Sequence, residues 1–358
     1  MSKVFQWSCA CALVMGVLTT QRLGGQPPLH PVATTPWNAK AEWAGRLVIG
    51  EYGTGSACEI CHFIAETYNG LMRRYPSTVF IALSYHMDYD WFMSDPADSV
   101  FDRERLWYAR VDKAKCGSAN SENETWAGQI PLPCSMWPGI IMDGRSPIPF
   151  KAPDVDTNGS PEFFKGASQL WYDRMVAGID TELGRAPEAF FHAQTTVQGG
   201  KIGVSVKVDS ITGQHPKLFL RLLLVEDTVA LHPKDTVPSP IWDIDREQYW
   251  IVYASAHTPA LALGLPLPGP GTAKYTFDVA AIQHRILRIR QGETKWVSEV
   301  FAKDKEEMLK AIARHPDDRD WRLNPLRLHV VALVQDAQSG EVLQAAMVPV
   351  DGKRLALK

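Results

Sequence analysis

The chemistry this sequence offers is concentrated in Cys58-Glu59-Ile60-Cys61. Cysteines three apart on one helical turn present both sulfurs on the same face, within disulfide reach. Leu47-Val48-Ile49 ahead of them reads as a strand. Behind them Ile60, Phe63, Ile64, Tyr68, Leu71 and Met72 recur at helical spacing. The pair therefore stands where a strand hands over to a helix. A helix N-terminus stabilises a thiolate through unpaired N–H groups and its dipole. Cys58 is thus expected to attack and Cys61, deeper in the turn, to resolve. The charge of Glu59 opposes a thiolate beside it and argues against a very strongly oxidising pair.

Other chemistries compete for the same residues. A structural disulfide across one turn closes a very small loop and stabilises little. Half of a zinc site is an option, although no second CxxC or HxxxH follows. With His62 the segment also spells the C-x-x-C-H of haem attachment, a motif more usual in small helical domains. Asp154, Asp156 and Asn158 imitate the first half of a calcium loop, but Lys165 stands where a bidentate Glu is needed.

These residues need a frame, and the rest of the chain supplies one. It has 358 residues, 45% of them hydrophobic, enough for a buried core in two domains. A net charge of -3 gives no electrostatic case for a nucleic-acid partner. Residues 1–25, with Lys3 and the apolar run Trp7 to Leu18, read as a signal peptide, and 26–43 as a Pro-rich linker. Export implies an oxidising periplasmic or secreted location, where disulfides persist. From Arg46 the pattern is βαβ: a strand, a helix to Tyr75, and a strand at Thr78–Tyr85. A helix at Asp98–Val111 and a strand at Gly139–Met142 follow, then an Asp143-Gly144 turn and a helix from Ser160 to Leu183. After Arg185 strands dominate: 202–208, 218–225, 249–254, 274–279, 326–335 and 342–350. One helix at 304–313 interrupts them, and 261–271 reads as a loop.

Three segments carry a resemblance. Glu51 to Cys58, Ala82 to Tyr89 (with His86 and Asp88) and Trp137 to Gly144 resemble motif segments of secreted bacterial thioredoxin-like proteins of uncharacterised function. The resemblance implies an α/β thioredoxin-like domain over 44–184, with an insertion at about 87–136. Pro138 would be a cis proline beside the cysteines, exposing the preceding backbone to a substrate strand. Trp137 would cover that groove or serve it as an apolar platform. Glu51 would take the proton of the resolving cysteine or, alternatively, face solvent at the strand end. His86 and Asp88 would share one side beyond the second strand, as a hydrogen-bonded pair fixing a loop or as copper ligands beside the cysteines. Cys116 and Cys134 would close a structural disulfide around a 17-residue loop, worth about 3 kcal/mol, or act as a relay pair.

Leu218–Asp227 and Leu328–Ala345 resemble the sandwich domain of some outer-membrane-associated thioredoxin-like proteins. An all-β immunoglobulin-like antiparallel sandwich is therefore expected over 185–358. The function so read is an exported thiol–disulfide oxidoreductase needing no cofactor and no metal. Its partners would be protein thiols or disulfides and an envelope redox partner, with peripheral association with the outer membrane. The rival readings are a non-catalytic envelope binding or assembly protein and a copper or electron carrier.

Overall fold

The computed structural model describes residues 45–54, 59–86, 125–126, 130–131, 139–149, 161–215, 217–230, 247–256, 264–285 and 323–355. The chain enters through β1 (Val48–Thr54), α1 (Glu59–Arg74) and β2 (Phe80–His86). β1 and β2 are parallel, Val48 opposite Phe80 and Thr54 opposite His86. Both strands are mostly apolar because both faces are covered, with Glu51 and Ser84 as buried polar exceptions. Val48, Tyr52, Phe80 and Ala82 face the helices, while Ile49, Ile81, Leu83 and Tyr85 face the other way.

β3 (Thr125–Trp126) and β4 (Ile130–Pro131) form a short ladder of their own. β5 (Gly139–Met142) and β6 (Ser146–Pro149) make a hairpin. Its corner is Asp143-Gly144, both at positive φ (46° and 64°), the conformation a two-residue turn requires. α2 (Pro161–Leu183) begins with Pro at its first position and buries Trp171, Met175, Ile179 and Leu183 at four-residue steps. It packs against α1 over one face of β1 and β2. The phenol of Tyr75 donates to Asp180 at 2.7 Å, and the rings of Tyr52 and Tyr68 stack at 3.7 Å.

Seven further strands follow: β7 (Ala189–Gln198), β8 (Lys201–Ile211), β9 (Leu218–Ala230), β10 (Glu247–Ser255), β11 (Leu265–Leu267), β12 (Gly271–Asp278) and, after α3 (residues 279–285), β13 (Leu328–Asp336). β14 (Val342–Pro349) completes the last hairpin. β12, β8 and β7 make a three-stranded antiparallel sheet. All the others except β3 and β4 belong to one nine-stranded sheet ordered β14-β13-β9-β10-β2-β1-β5-β6, with β11 added to β9. The small sheet lies over β9 and β13. Leu220, Leu222 and Leu224 meet Ile202, Val204 and Val206 in the core between them.

The large sheet is curled. β14 and the β5–β6 hairpin stand at opposite ends of the strand order, yet Val342 N–H donates to Asp143 O at 2.8 Å. The Arg46 guanidinium also reaches the Val342 carbonyl. The two wings therefore face each other across an interior lined by Ile49, Ile81, Leu83, Leu223, Val331 and Leu333.

This architecture corrects the expected fold class. Strands make up 52% of the described residues and helices 24%, so the chain is mostly β, without a clear α/β thioredoxin-like domain. A separate immunoglobulin-like sandwich does not follow either. β9, β10, β13 and β14 complete the sheet that β1 and β2 begin, and only β7, β8 and β12 stand apart. The physical reason lies in β9, which is apolar on both faces and so seeks cover on both. Leu265–Leu267 pairs with β9 where a loop was expected, and β7 was not foreseen. The expected signal peptide, the Pro-rich linker and the helices at 98–111 and 304–313 lie outside the described residues. Among the described residues no helix is long and apolar enough to cross a membrane.

Candidate functional site

Three strand ends converge on one edge of the large sheet. Thr54, from which the chain continues to Cys58, lies opposite His86. β5 runs antiparallel to β1 with Ile140 opposite Tyr52, so the chain enters β5 from Trp137-Pro138 at that same edge. The helix begins at Glu59, and Cys61 falls in its first turn. β1, β2 and β5 thus bring the strand ends next to the three motif segments together. Cys58, Asp88, Cys116, Cys134, Trp137 and Pro138 lie outside the described residues, as do the side chains of Glu59, Cys61 and His86.

Glu51 is described in full. It is buried, not solvent-facing. Arg221 of β9 grips it with two N–H groups, Nη1 to Oε1 at 3.2 Å and Nη2 to Oε2 at 2.7 Å. Tyr85 donates its phenol to Glu51 Oε2 at 2.8 Å, and Arg221 Nη2 donates to the Tyr85 oxygen at 2.9 Å. Arg221 Nη1 also donates to Gln335 Oε1 at 3.0 Å, and the Gln335 amide donates in turn to the Gly340 carbonyl. Both carboxylate oxygens thus accept from Arg221, and one of them also from Tyr85, so the buried guanidinium and the carboxylate depend on each other.

A second ionic pair adjoins the first. Arg46 and Asp143 are both fully buried, with Nη2 and Oδ2 2.8 Å apart and Nε donating to Oδ2 at 2.9 Å. The Ile49 N–H donates to Asp143 Oδ1 at 2.8 Å. Burial pushes the Asp143 carboxyl up to about 6. Arg46 and the Ile49 N–H oppose that rise, and Glu51 adds to it. Two cations and two carboxylates thus neutralise each other inside the curled sheet.

Sequence reasoning missed Arg46, Tyr85, Arg221 and Gln335. The usable signal was Arg221 itself, a lone cation within LFLRLLLVED. A charge in a strand buried on both faces demands a counter-charge. Among the described residues no group of three His, Cys, Asp or Glu side chains is placed to hold a metal.

No protein-family model matches this chain, and no curated protein matches it. The resemblance to secreted thioredoxin-like proteins therefore gains no family support. Among solved structures, a domain of the outer membrane lipoprotein Omp28 from Porphyromonas gingivalis is similar at 15% identity. It covers 46% of this chain and 90% of that domain, with a TM-score of 0.26. A likeness of that degree carries no argument about function.

Proposed function

We propose that the chain is an exported thiol–disulfide oxidoreductase working through Cys58 and Cys61, located in the periplasm or secreted. The observation that supports this reading is the meeting of the β1, β2 and β5 ends at one sheet edge, with α1 starting one residue after Cys58. The Cys58 thiolate attacks a substrate disulfide. A Cys58–substrate disulfide forms, and the displaced substrate sulfur leaves as a thiolate and takes a proton from water. The Cys61 thiolate then attacks the Cys58 sulfur, closing Cys58–Cys61 and freeing the second substrate thiol. An envelope dithiol partner resets the pair, reducing Cys58–Cys61 to two thiols and being itself oxidised to a disulfide. In this reading Cys58, one residue before the helix in sequence, is the better nucleophile because a helix N-terminus favours a thiolate. On the same reading Trp137 and Pro138, which precede β5 in sequence, and His86 and Asp88, at and after the end of β2, serve the substrate groove. Glu51 acts as a positioning carboxylate in this reading.

The test uses the purified full chain. Equilibration in dithiothreitol buffers gives a single two-electron transition for Cys58–Cys61, and a Cys61→Ala variant accumulates a Cys58 adduct with oxidised glutathione. A pair that stays oxidised in excess reductant, or a Cys61→Ala variant that forms no adduct, overturns the proposal and leaves a non-catalytic envelope binding role.

A further inference from the structure

The loop between β8 and β9 carries the chain from the small sheet to the large one, and His215 lies in it with its side chain only 10% exposed. Both ring nitrogens meet carboxylates. Nδ1 lies 3.1 Å from Asp336 Oδ2, and Nε2 lies 3.1 Å from Glu188 Oε2. Asp336 ends β13 in the large sheet. Glu188 precedes β7 in the small sheet, and its N–H donates to Leu343 O of β14. The ring therefore sits at the seam between the two sheets. Gly213, at φ +82°, gives it room, since a Cβ there would lie 3.1 Å from Nε2.

The surroundings fix both carboxylates as acceptors. The second oxygen of Glu188 faces Arg185 at 3.5 Å and Arg145 at 3.9 Å, and these guanidinium groups also hold Glu182 and Glu341. The other oxygen of Asp336 accepts the N–H groups of Gln338 (2.7 Å) and Ser339 (3.1 Å). Burial works against the Asp336 charge, yet these N–H groups and the His215 ring hold its carboxyl below the ordinary value. A neutral imidazole has one N–H to donate, and an ionised carboxylate has none. Only the doubly protonated ring satisfies both neighbours.

We propose that His215 is a proton-operated clasp at the seam, closed on Glu188 and Asp336 when the ring carries two N–H protons and open on one side when it carries one. When the proton leaves, one carboxylate faces a nitrogen lone pair at 3.1 Å, and the contact turns from attractive to repulsive. The seam is then held by its backbone bonds, Thr212 N–H to Glu188 O and Ala337 N–H to Lys217 O.

Amide exchange on the full-length protein tests this, with rates corrected for the intrinsic effect of pH. Protection at Thr212, Ala337 and Gly340 should fall about tenfold from pH 5.5 to pH 8, the scale of one lost charge-assisted hydrogen bond. Leu222 and Val331, which report the global stability that Glu226 makes pH-dependent, should change with pH equally in the wild type and in Glu188→Gln. In Glu188→Gln the new amide can either accept from or donate to the ring, so the pH dependence at the seam should vanish. Equal protection at both pH values in the wild-type protein overturns the clasp. So does an unchanged pH dependence in Glu188→Gln.

Discussion

Arg221 and Glu51 lie 170 residues apart in sequence, on strands separated by two others, yet the guanidinium holds both carboxylate oxygens with no solvent access. Removing one partner of such a pair leaves an uncompensated buried charge. Arg221→Met and Glu51→Gln should each cost about 3–5 kcal/mol. The double variant should cost less than the sum, by roughly 1–3 kcal/mol. Urea denaturation of the four proteins measures this. Additive losses would show that the pair does not act as a unit.

Glu226 offers a pH test away from that pair. Burial pushes its carboxyl up to about 8 from 4.5. The Asn324 N–H and Arg327 oppose the shift, and Asp227 adds to it. Between those values the folded chain keeps a proton that the unfolded chain releases, so stability falls as pH rises through the window. The loss is on the order of several kcal/mol by pH 9. Glu226→Gln is uncharged and of similar shape. It should match wild type at pH 5 and exceed it at pH 9 in denaturant midpoint. Parallel curves would sink the assignment.

Asp143 combines charge and geometry. At pH 7, Asp143→Asn keeps the left-handed turn, which Asn tolerates, but leaves Arg46 without its counter-ion. The expected cost is about 3–5 kcal/mol. That cost should grow as pH falls through about 6, because the folded carboxyl takes up a proton there that the unfolded chain, near 3.8, still releases. Thermal denaturation of both proteins at pH 5 and 7.5 decides it.

Gly144 and Gly199 separate close approach from backbone conformation. Both have positive φ, 64° and 58°. A Cβ on Gly144 would stand 1.8 Å from the Gly340 carbonyl oxygen, whereas one on Gly199 meets nothing within 4 Å. Gly199→Ala should cost about 1–2 kcal/mol, the left-handed penalty alone. Gly144→Ala should cost more than about 4 kcal/mol, which soluble yield and circular dichroism will register.

Local features were legible in the sequence where local physics decides them. Asp143-Gly144 turns, Pro161 starts a helix, and TVFIALSY is a strand buried on both faces. β7 escaped because AFFHAQTTVQ fully buries only Ala189 along its length. The sheet's continuity escaped because it depends on distant pairings. One is Ile251 with Ser84 between β10 and β2, and another is Arg221 with Glu51. Neither leaves a periodicity, and the composition change at Arg185 marks the end of α2, not of the sheet. The cysteine pair was legible as a motif, while the ionic cluster behind it was not. A sequence displays a buried charge without naming its partner.

The curl of the large sheet also sets an order of assembly. Arg46 and Val342, joined across the closure, are 296 positions apart. A ribosome making this chain finishes β1 and β2 early, with Arg46 and Glu51 already in place and their partners Asp143, Val342 and Arg221 not yet synthesised. Arg221 comes mid-chain and β14 near the end, so the early strands must wait, solvated or chaperoned, for the late ones. Contacts of such long range make folding slow. A nascent chain stalled before residue 342 would display charged, half-paired strands, a natural mark for quality-control proteolysis.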